Sequence, residues 1–309
     1  MSESNSRSRI LAIHSGALGD CILFGQLLRL LPGEVTIVSG GQTGRLLTGL
    51  GVVGRAMEFN ILPIQEIFTD RPLDQCALPQ LLGDHDRLIS CFAAGDRKAE
   101  QRLAAMCRAL TAAFLPIRPP DCCDMHLIDL WADMLGLEAL SSRVFDPWAV
   151  PQTWQGQARA ELAHAQPEQA GEYVLIHPGA GSPDKCWPLE KFLELAARLG
   201  RVVFAVGPVE LERWTSKNLA CISDAFEVIS CRSLEVLSAA IVGARCYVGN
   251  DSGVSHLAAA VGAPTVALFG PTLAKNFSPL GELVRTVSAA DIREIGTGEV
   301  LAAVRELAG

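Results

Sequence analysis

The chain has 309 residues, room for one large or two ordinary domains, and 49% of them are hydrophobic, ample for a sizeable core. Its formal net charge of -8 argues against a general nucleic-acid binder. Residues 1–150 and the remainder each carry 13 Lys+Arg and 17 Asp+Glu, so neither half is basic. No apolar run approaches the ~18–20 residues of a membrane span. The ten cysteines form no CxxC pair, and Cys91, Cys107 and Cys246 sit in apolar runs, as small buried hydrophobes do in a reducing compartment. The polar start MSESNSRSR is expected to fray, and Ile10 to Ile13 is too short for a signal peptide's apolar region, so a cytoplasmic protein is expected.

Arg9 to His14 reads as a strand, Ser15 to Asp20 as a tight glycine turn, Cys21 to Leu31 as a helix stopped by Pro32-Gly33, and Val35 to Val38 as the next strand. The turn is Gly16-x-x-Gly19 rather than G-x-G-x-x-G, and no acidic residue ends the second strand, which disfavours a nicotinamide dehydrogenase. The turn instead places a carboxylate, Asp20, at the head of a helix, where capping or dipole compensation is the simplest role. Gly44 to Leu50 reads as a short helix and Val52 to Phe59 as a weak strand. Asp84-His85-Asp86 has the look of a metal-binding D-x-D, but it introduces the strand Arg87 to Phe92 far from any phosphate-type turn and is not assigned to a metal. Cys122-Cys123 with His126 lacks further ligands at zinc spacing. Ala99 to Phe114 is expected to be one amphipathic helix, and His126 to Leu137 another, ended near Gly136.

The polar stretch Phe145 to Pro167 is expected to be the inter-domain linker, with a short helix from Gln155 to Ala165. Tyr173 to His177 is a strand, followed by the small-residue loop PGAGSPDKCWP with Lys185, and by a helix from Pro188 to about Leu199. Arg201 to Val206 is a strand, 209–220 a helix, Phe226 to Ile229 a strand and Ser233 to Val242 a helix. The stretch YVGNDSGVSHLAAAVGAPTVALFGPT (247–272) is a strand-turn-helix-strand unit, with Gly262 placed to end its helix. Asn250 to Gly253 offers cap and turn chemistry, and the turn presents the first free N–H groups of a helix, where a diphosphate sits well. His256 lies one turn in. Equally, many α/β proteins have such a capped helix and bind nothing there. Asp291 to Ala308 reads as a last helix. The second half repeats the βα logic of the first, which makes the fold class α/β.

Three stretches in this order, ILAIHSGALGDCIL (10–23), YVLIHPGAGSPDKCWPLEKFLELA (173–196) and the 247–272 unit, resemble the lipopolysaccharide heptosyltransferase family, glycosyltransferase family 9; HLIDLWADMLGL (126–137) is similar to the family's mid-chain helix. The resemblance runs from Ile10 to about Thr272 and is loose between residues 40 and 120. It implies a GT-B fold: two Rossmann-like domains facing across a cleft, residues 1–150 binding the acceptor and 151–309 the nucleotide-sugar, with the last helix crossing back to the first domain. It implies inverting, metal-independent transfer of heptose from ADP-heptose to an envelope glycan or glycolipid such as the lipopolysaccharide inner core. No cofactor, metal or nucleic acid is implied, and peripheral contact with the inner membrane is.

By matching position, the resemblance makes Asp20 the general base, with Gly19 beside it. It puts Lys185 on the diphosphate, Asp251, Ser252, Gly253 and His256 along the diphosphate turn, and Glu210 at the ribose. The chemistry is coherent: a metal-free site must meet the leaving diphosphate with fixed positive potential, which a helix N-terminus and a lysine supply, while a carboxylate takes the proton of the attacking hydroxyl. The chain departs from the family at His14-Ser15, where many members have arginine and an apolar residue, and in FNILPIQEI (59–67), which has no basic residue for a phosphorylated acceptor. The alternatives are a transferase using another nucleotide-sugar and a non-lipopolysaccharide acceptor, and a non-catalytic sugar-nucleotide-binding protein.

Overall fold

The structure is a computed structural model and describes residues 8–120, 123–162 and 173–308. The chain divides into two units, residues 1–142 and 143–309. In the first, strands β1 (Arg9–Ile13), β2 (Glu34–Ser39), β3 (Arg55–Glu58), β4 (Arg87–Ser90) and β5 (Thr111–Phe114) form one parallel sheet in the order β3-β2-β1-β4-β5. The helices are α1 (Leu18–Leu28), α2 (Gly41–Gly49), α3 (Leu78–Leu82), α4 (Arg97–Met106) and α5 (Leu127–Met134). A parallel sheet needs a long crossover after each strand and has both faces covered, so its strands run apolar: Ile10, Leu11, Ala12 and Ile13 are all fully buried.

The single helix expected over 99–114 is instead α4 followed by the edge strand β5. Helix α4 starts on Asp96, whose carboxylate accepts from the Lys98 and Ala99 amides. It ends with Arg108 in the left-handed region (φ 50°), where the Arg108 N–H donates to the Ala105 carbonyl and the Ala109 N–H to the Ala104 carbonyl. A helix stop without glycine leaves no punctuation in the sequence, which is why the strand escaped the pattern. Asp96→Ala is expected to cost about 1 kcal/mol, the usual size of a lost N-cap; the midpoint shift in urea unfolding measures it.

The second unit has the six-stranded parallel order β11-β10-β9-β6-β7-β8, from β6 (Val174–His177), β7 (Val202–Val206), β8 (Glu227–Ser230), β9 (Cys246–Asn250), β10 (Thr265–Phe269) and β11 (Val284–Ser288). Its helices are α6 (Gln152–Leu162), α7 (Leu189–Ala197), α8 (Pro208–Arg213), α9 (Ser216–Ser223), α10 (Leu234–Gly243), α11 (Gly253–Ala260), α12 (Ala274–Phe277) and α13 (Thr297–Ala308). Counted within the unit this is the doubly wound Rossmann order, with its switch point between β6 and β9. The helix expected over 209–220 is two, because Trp214 is extended and the Thr215 hydroxyl caps α9 at the Asn218 amide.

Residues 147–148, inside the expected linker, are held on this unit: the Trp148 N–H donates to the Ala260 carbonyl, and a side chain on Gly262 would strike Pro147. Of the short helix expected over 155–165, residues 163–165 lie outside the described residues. The expected last helix begins later than Asp291, with a 3-10 turn at Ile292–Glu294 and then α13. The apolar face of α13, Val300, Leu301 and Val304, enters the core of the second unit and packs on α7.

Candidate active site

The carboxyl ends of β1 and β4, at the switch point of the first sheet, carry the loop 14–17 and the start of α1. Helix α1 begins at Leu18, earlier than expected, so Asp20 and Gly19 lie inside its first turn rather than before it. The N-cap is Ala17, whose side chain makes no cap bond, and Asp20 is the acidic residue of the first turn. Its carboxylate is half-buried, in the first turn, where the helix dipole favours a negative charge. A glycine is needed at position 16 for an internal reason: a Cβ there would stand 2.6 Å from His14 Cε1 and 3.4 Å from Asp20 Oδ2. Beneath Asp20 the Cys21 thiol is buried, and desolvation together with the Asp20 charge pushes its pKa up to about 12. It stays a neutral thiol.

Asp84 and Asp86 lie at the opposite, amino-terminal end of β4. Asp86 accepts from the Arg9 amide at 2.7 Å and Asp84 pairs with Arg108 at 3.3 Å, so both have structural partners. Cys122 falls outside the described residues. Among the described residues no group of three His, Cys, Asp or Glu is arranged to hold a metal ion.

In the second unit the loop after β6 and the start of α11 meet at the carboxyl ends of β6 and β9. Asn250, the last residue of β9 and fully buried, ties them together. Its Nδ2 donates to the Pro178 carbonyl at 2.8 Å and its Oδ1 accepts from the Trp187 amide at 3.0 Å. Trp187 is anchored in turn by its indole N–H on the Ile295 carbonyl (3.1 Å) and by an edge-to-face contact with Phe192. The loop bearing Lys185 is thereby held at both ends. The Lys185 ammonium sits 2.6 Å from Asp251 Oδ2, and Asp251 is buried.

The pair joins two residues expected at the diphosphate, and an ammonium bonded once has two further N–H donors. Helix α11 starts at Gly253 with Ser252 as N-cap, but the Ser252 hydroxyl makes no cap bond and is buried without a hydrogen-bond partner. The first-turn N–H groups therefore have no side-chain acceptor, as an anion site requires. Gly253 is half-buried, and His256 is buried one turn further on, its amide donating to the Ser252 carbonyl. Gly262 ends α11 as expected, with φ 82° and paired bonds from Gly262 to Ala259 and from Ala263 to Ala258.

Glu210 is less accessible than its expected place at a ribose suggests. It is 5% exposed, accepts from the Gly207 amide at 2.8 Å, stands 3.8 Å from His177 Nε2, and lies against Gly179, where a Cβ would overlap its carboxylate. Burial opposes its charge, yet the neighbouring imidazole and the Gly207 N–H together hold its pKa below the usual carboxylate value. Asn250 and His177 are the residues that sequence reasoning missed as site builders. Asn250 was visible only as turn chemistry, because its partners lie more than sixty residues away.

Two doubly wound units, one presenting a carboxylate at its switch point and the other a lysine beside an uncapped helix N-terminus, define the GT-B class of glycosyltransferase fold. The chain belongs to glycosyltransferase family 9 (heptosyltransferase), whose family model matches residues 139–297, just over half of it. It is similar to lipopolysaccharide heptosyltransferase 3 of Escherichia coli, 33% identical over 162 residues, 48% of this chain and 44% of the relative. It is also similar to lipopolysaccharide heptosyltransferase 1 of Escherichia coli strain K12, 37% identical over 127 residues, 38% of this chain and 39% of the relative. These matches span under half the length of the curated relatives. Among solved structures, the family 9 glycosyltransferase of Veillonella parvula matches with a TM-score of 0.75 at 18% identity, covering 97% of both chains. The E. coli heptosyltransferase WaaC with ADP matches at 0.70 and 21%, covering 96% of this chain and 99% of the other. No helix among the described residues is long and apolar enough to cross a membrane.

Proposed function

We propose that the protein is an inverting, metal-independent heptosyltransferase that moves heptose from ADP-heptose to the lipopolysaccharide inner core or a related envelope glycan. The observation that carries this reading is the Lys185–Asp251 pair at the uncapped start of α11. The free N–H groups of the helix start supply positive potential, and the Asp251-oriented ammonium supplies N–H donors, where a leaving diphosphate develops negative charge. Family membership and the likeness to lipopolysaccharide heptosyltransferases support the choice of sugar and acceptor. One solved neighbour, E. coli WaaC, holds ADP-2-deoxy-2-fluoro heptose. In this reading the second unit binds the donor through Lys185, Gly253, Ser252 and His256, and Asp251 orients Lys185. Glu210, buried against Gly179, is assigned to the ribose by its place after the Gly207-Pro208 turn. The first unit binds the acceptor, and Asp20 takes the proton of the attacking hydroxyl. No resident cofactor takes part. The protein acts in the cytoplasm, touching the inner membrane peripherally where its glycolipid acceptor lies.

Incubation with ADP-heptose and lipopolysaccharide from a heptose-deficient strain should yield a heptosylated core and ADP, seen by mass spectrometry. Binding of ADP without product in an acceptor screen would favour the non-catalytic alternative; product from another nucleotide-sugar would favour the other transferase. EDTA should leave turnover within about two-fold of the untreated enzyme, because lysine and helix-terminus donors replace the metal's charge. Loss of turnover restored by Mg²⁺ or Mn²⁺ would overturn the metal-independent mechanism.

A further inference from the structure

His14 follows β1 directly and is fully buried. Its ring lies between Phe24 of α1 (centroids 5.4 Å apart) and Trp131 of α5 (6.1 Å). Its Nδ1 stands 3.0 Å from the Gly16 amide and 3.4 Å from the Cys21 thiol, while Nε2 is buried with no hydrogen-bond partner. The Gly16 N–H is an obligatory donor, so Nδ1 is the acceptor and the imidazole proton resides on Nε2. With Nδ1 engaged, the Cys21 thiol is left the His14 and Gly16 carbonyls at 3.7 and 3.6 Å. Gly16 lies close to both groups: a single Cβ there would meet the His14 ring at 2.6 Å and the Asp20 carboxylate at 3.4 Å.

A buried imidazole with one nitrogen unsatisfied is a poor choice for stability alone, since an apolar side chain of similar size fills such a site at no polar cost. Substrate does not reach it. We infer that His14 is a positioning residue for the transfer reaction: its Nδ1 holds the Gly16 amide and so fixes the turn that sets Asp20 at the head of α1. This rests on the reading of Asp20 as the base. Burial lowers the His14 pKa to about 4, consistent with a neutral acceptor at working pH.

The test compares variants at position 14 by turnover, ADP binding and hydrogen exchange of the Gly16 amide. His14→Met removes the acceptor and fills the space. It should lower kcat about 10- to 100-fold, the scale of a small misplacement of a reacting group, with ADP affinity within about two-fold of wild type. Gly16 should lose protection by at least about 10-fold, as expected when a hydrogen-bonded amide loses its acceptor. His14→Asn keeps an acceptor at the Nδ1 position and should recover kcat to within about three-fold. Should His14→Met fail to fold, His14→Gln, whose amide reaches past the Nδ1 position, carries the same comparison and should be slow.

In an Asp20→Asn background, His14→Met should cost no further turnover, because it acts through Asp20. Wild-type kcat in His14→Met, unchanged Gly16 protection, or a His14→Asn enzyme as slow as His14→Met would each overturn the inference. Undiminished turnover in Asp20→Asn would instead sink the base assignment, while the exchange of Gly16 still decides whether His14 holds the turn.

Discussion

Replacing Asp20 by Asn is expected to lower turnover by about 10²–10⁴, the range for loss of a general base, and to leave ADP affinity unchanged. Asp20 lies in the first turn of α1 at the switch point of the first sheet, while the proposed diphosphate contacts belong to the second. Asparagine keeps the shape and the hydrogen-bonding reach of the side chain and removes its ability to take a proton. Asp20 stands in the first turn of α1 rather than at its N-cap Ala17, and asparagine keeps a hydrogen-bonding oxygen there, so the folded state should survive. The loss should therefore appear in kcat, with thermal stability shifted little and ADP binding by calorimetry the same. Normal turnover would place the base elsewhere. A variant that fails to fold would make Asp20 a structural charge answering the helix dipole.

Lys185→Ala is expected to weaken ADP binding by about 1.5–3 kcal/mol, the scale of a charge-assisted hydrogen bond. Two effects add in that loss. The ammonium is gone, and the buried Asp251 carboxylate it had paired with at 2.6 Å is left facing the anion. A second substitution separates them. Lys185→Ala with Asp251→Asn removes the repulsion and should recover part, not all, of the affinity. The single variant should also unfold more easily, because a buried carboxylate has lost its partner. Unchanged ADP affinity in calorimetry would reduce Lys185 to a structural counter-ion of Asp251 and remove it from the donor site.

Sequence alone determined the alternation of strands and helices wherever the signal is local. The apolar runs 10–13, 174–177 and 265–269 could only be strands buried on both faces. Pro188, Gly262 and Ser233 mark helix ends because their effect on φ or on a cap amide acts within a turn of chain. The ordered motifs around Asp20, Lys185 and Asp251 to His256 carried the family and, with it, the places where chemistry was to be sought.

Only the tertiary structure decided what depends on partners distant in the chain. Strand β5 exists because the tetrapeptide Thr111–Phe114 finds β4 beside it, after a helix that ends on a left-handed arginine rather than a glycine. Asn250 is a clamp because Pro178 and Trp187 arrive from another loop. Asp251 meets Lys185 from across the chain, and Glu210 is buried against Gly179. His14, a departure from the family in the sequence, is seen only in the structure to be buried between Phe24 and Trp131 with the Gly16 amide on its Nδ1. For Asn250, Asp251 and Glu210's contact with Gly179 the physical reason is the same. Periodicity and capping are short-range and written in neighbouring residues, whereas hydrogen bonds and ion pairs across many tens of residues exist only once parallel register has brought the strand ends together.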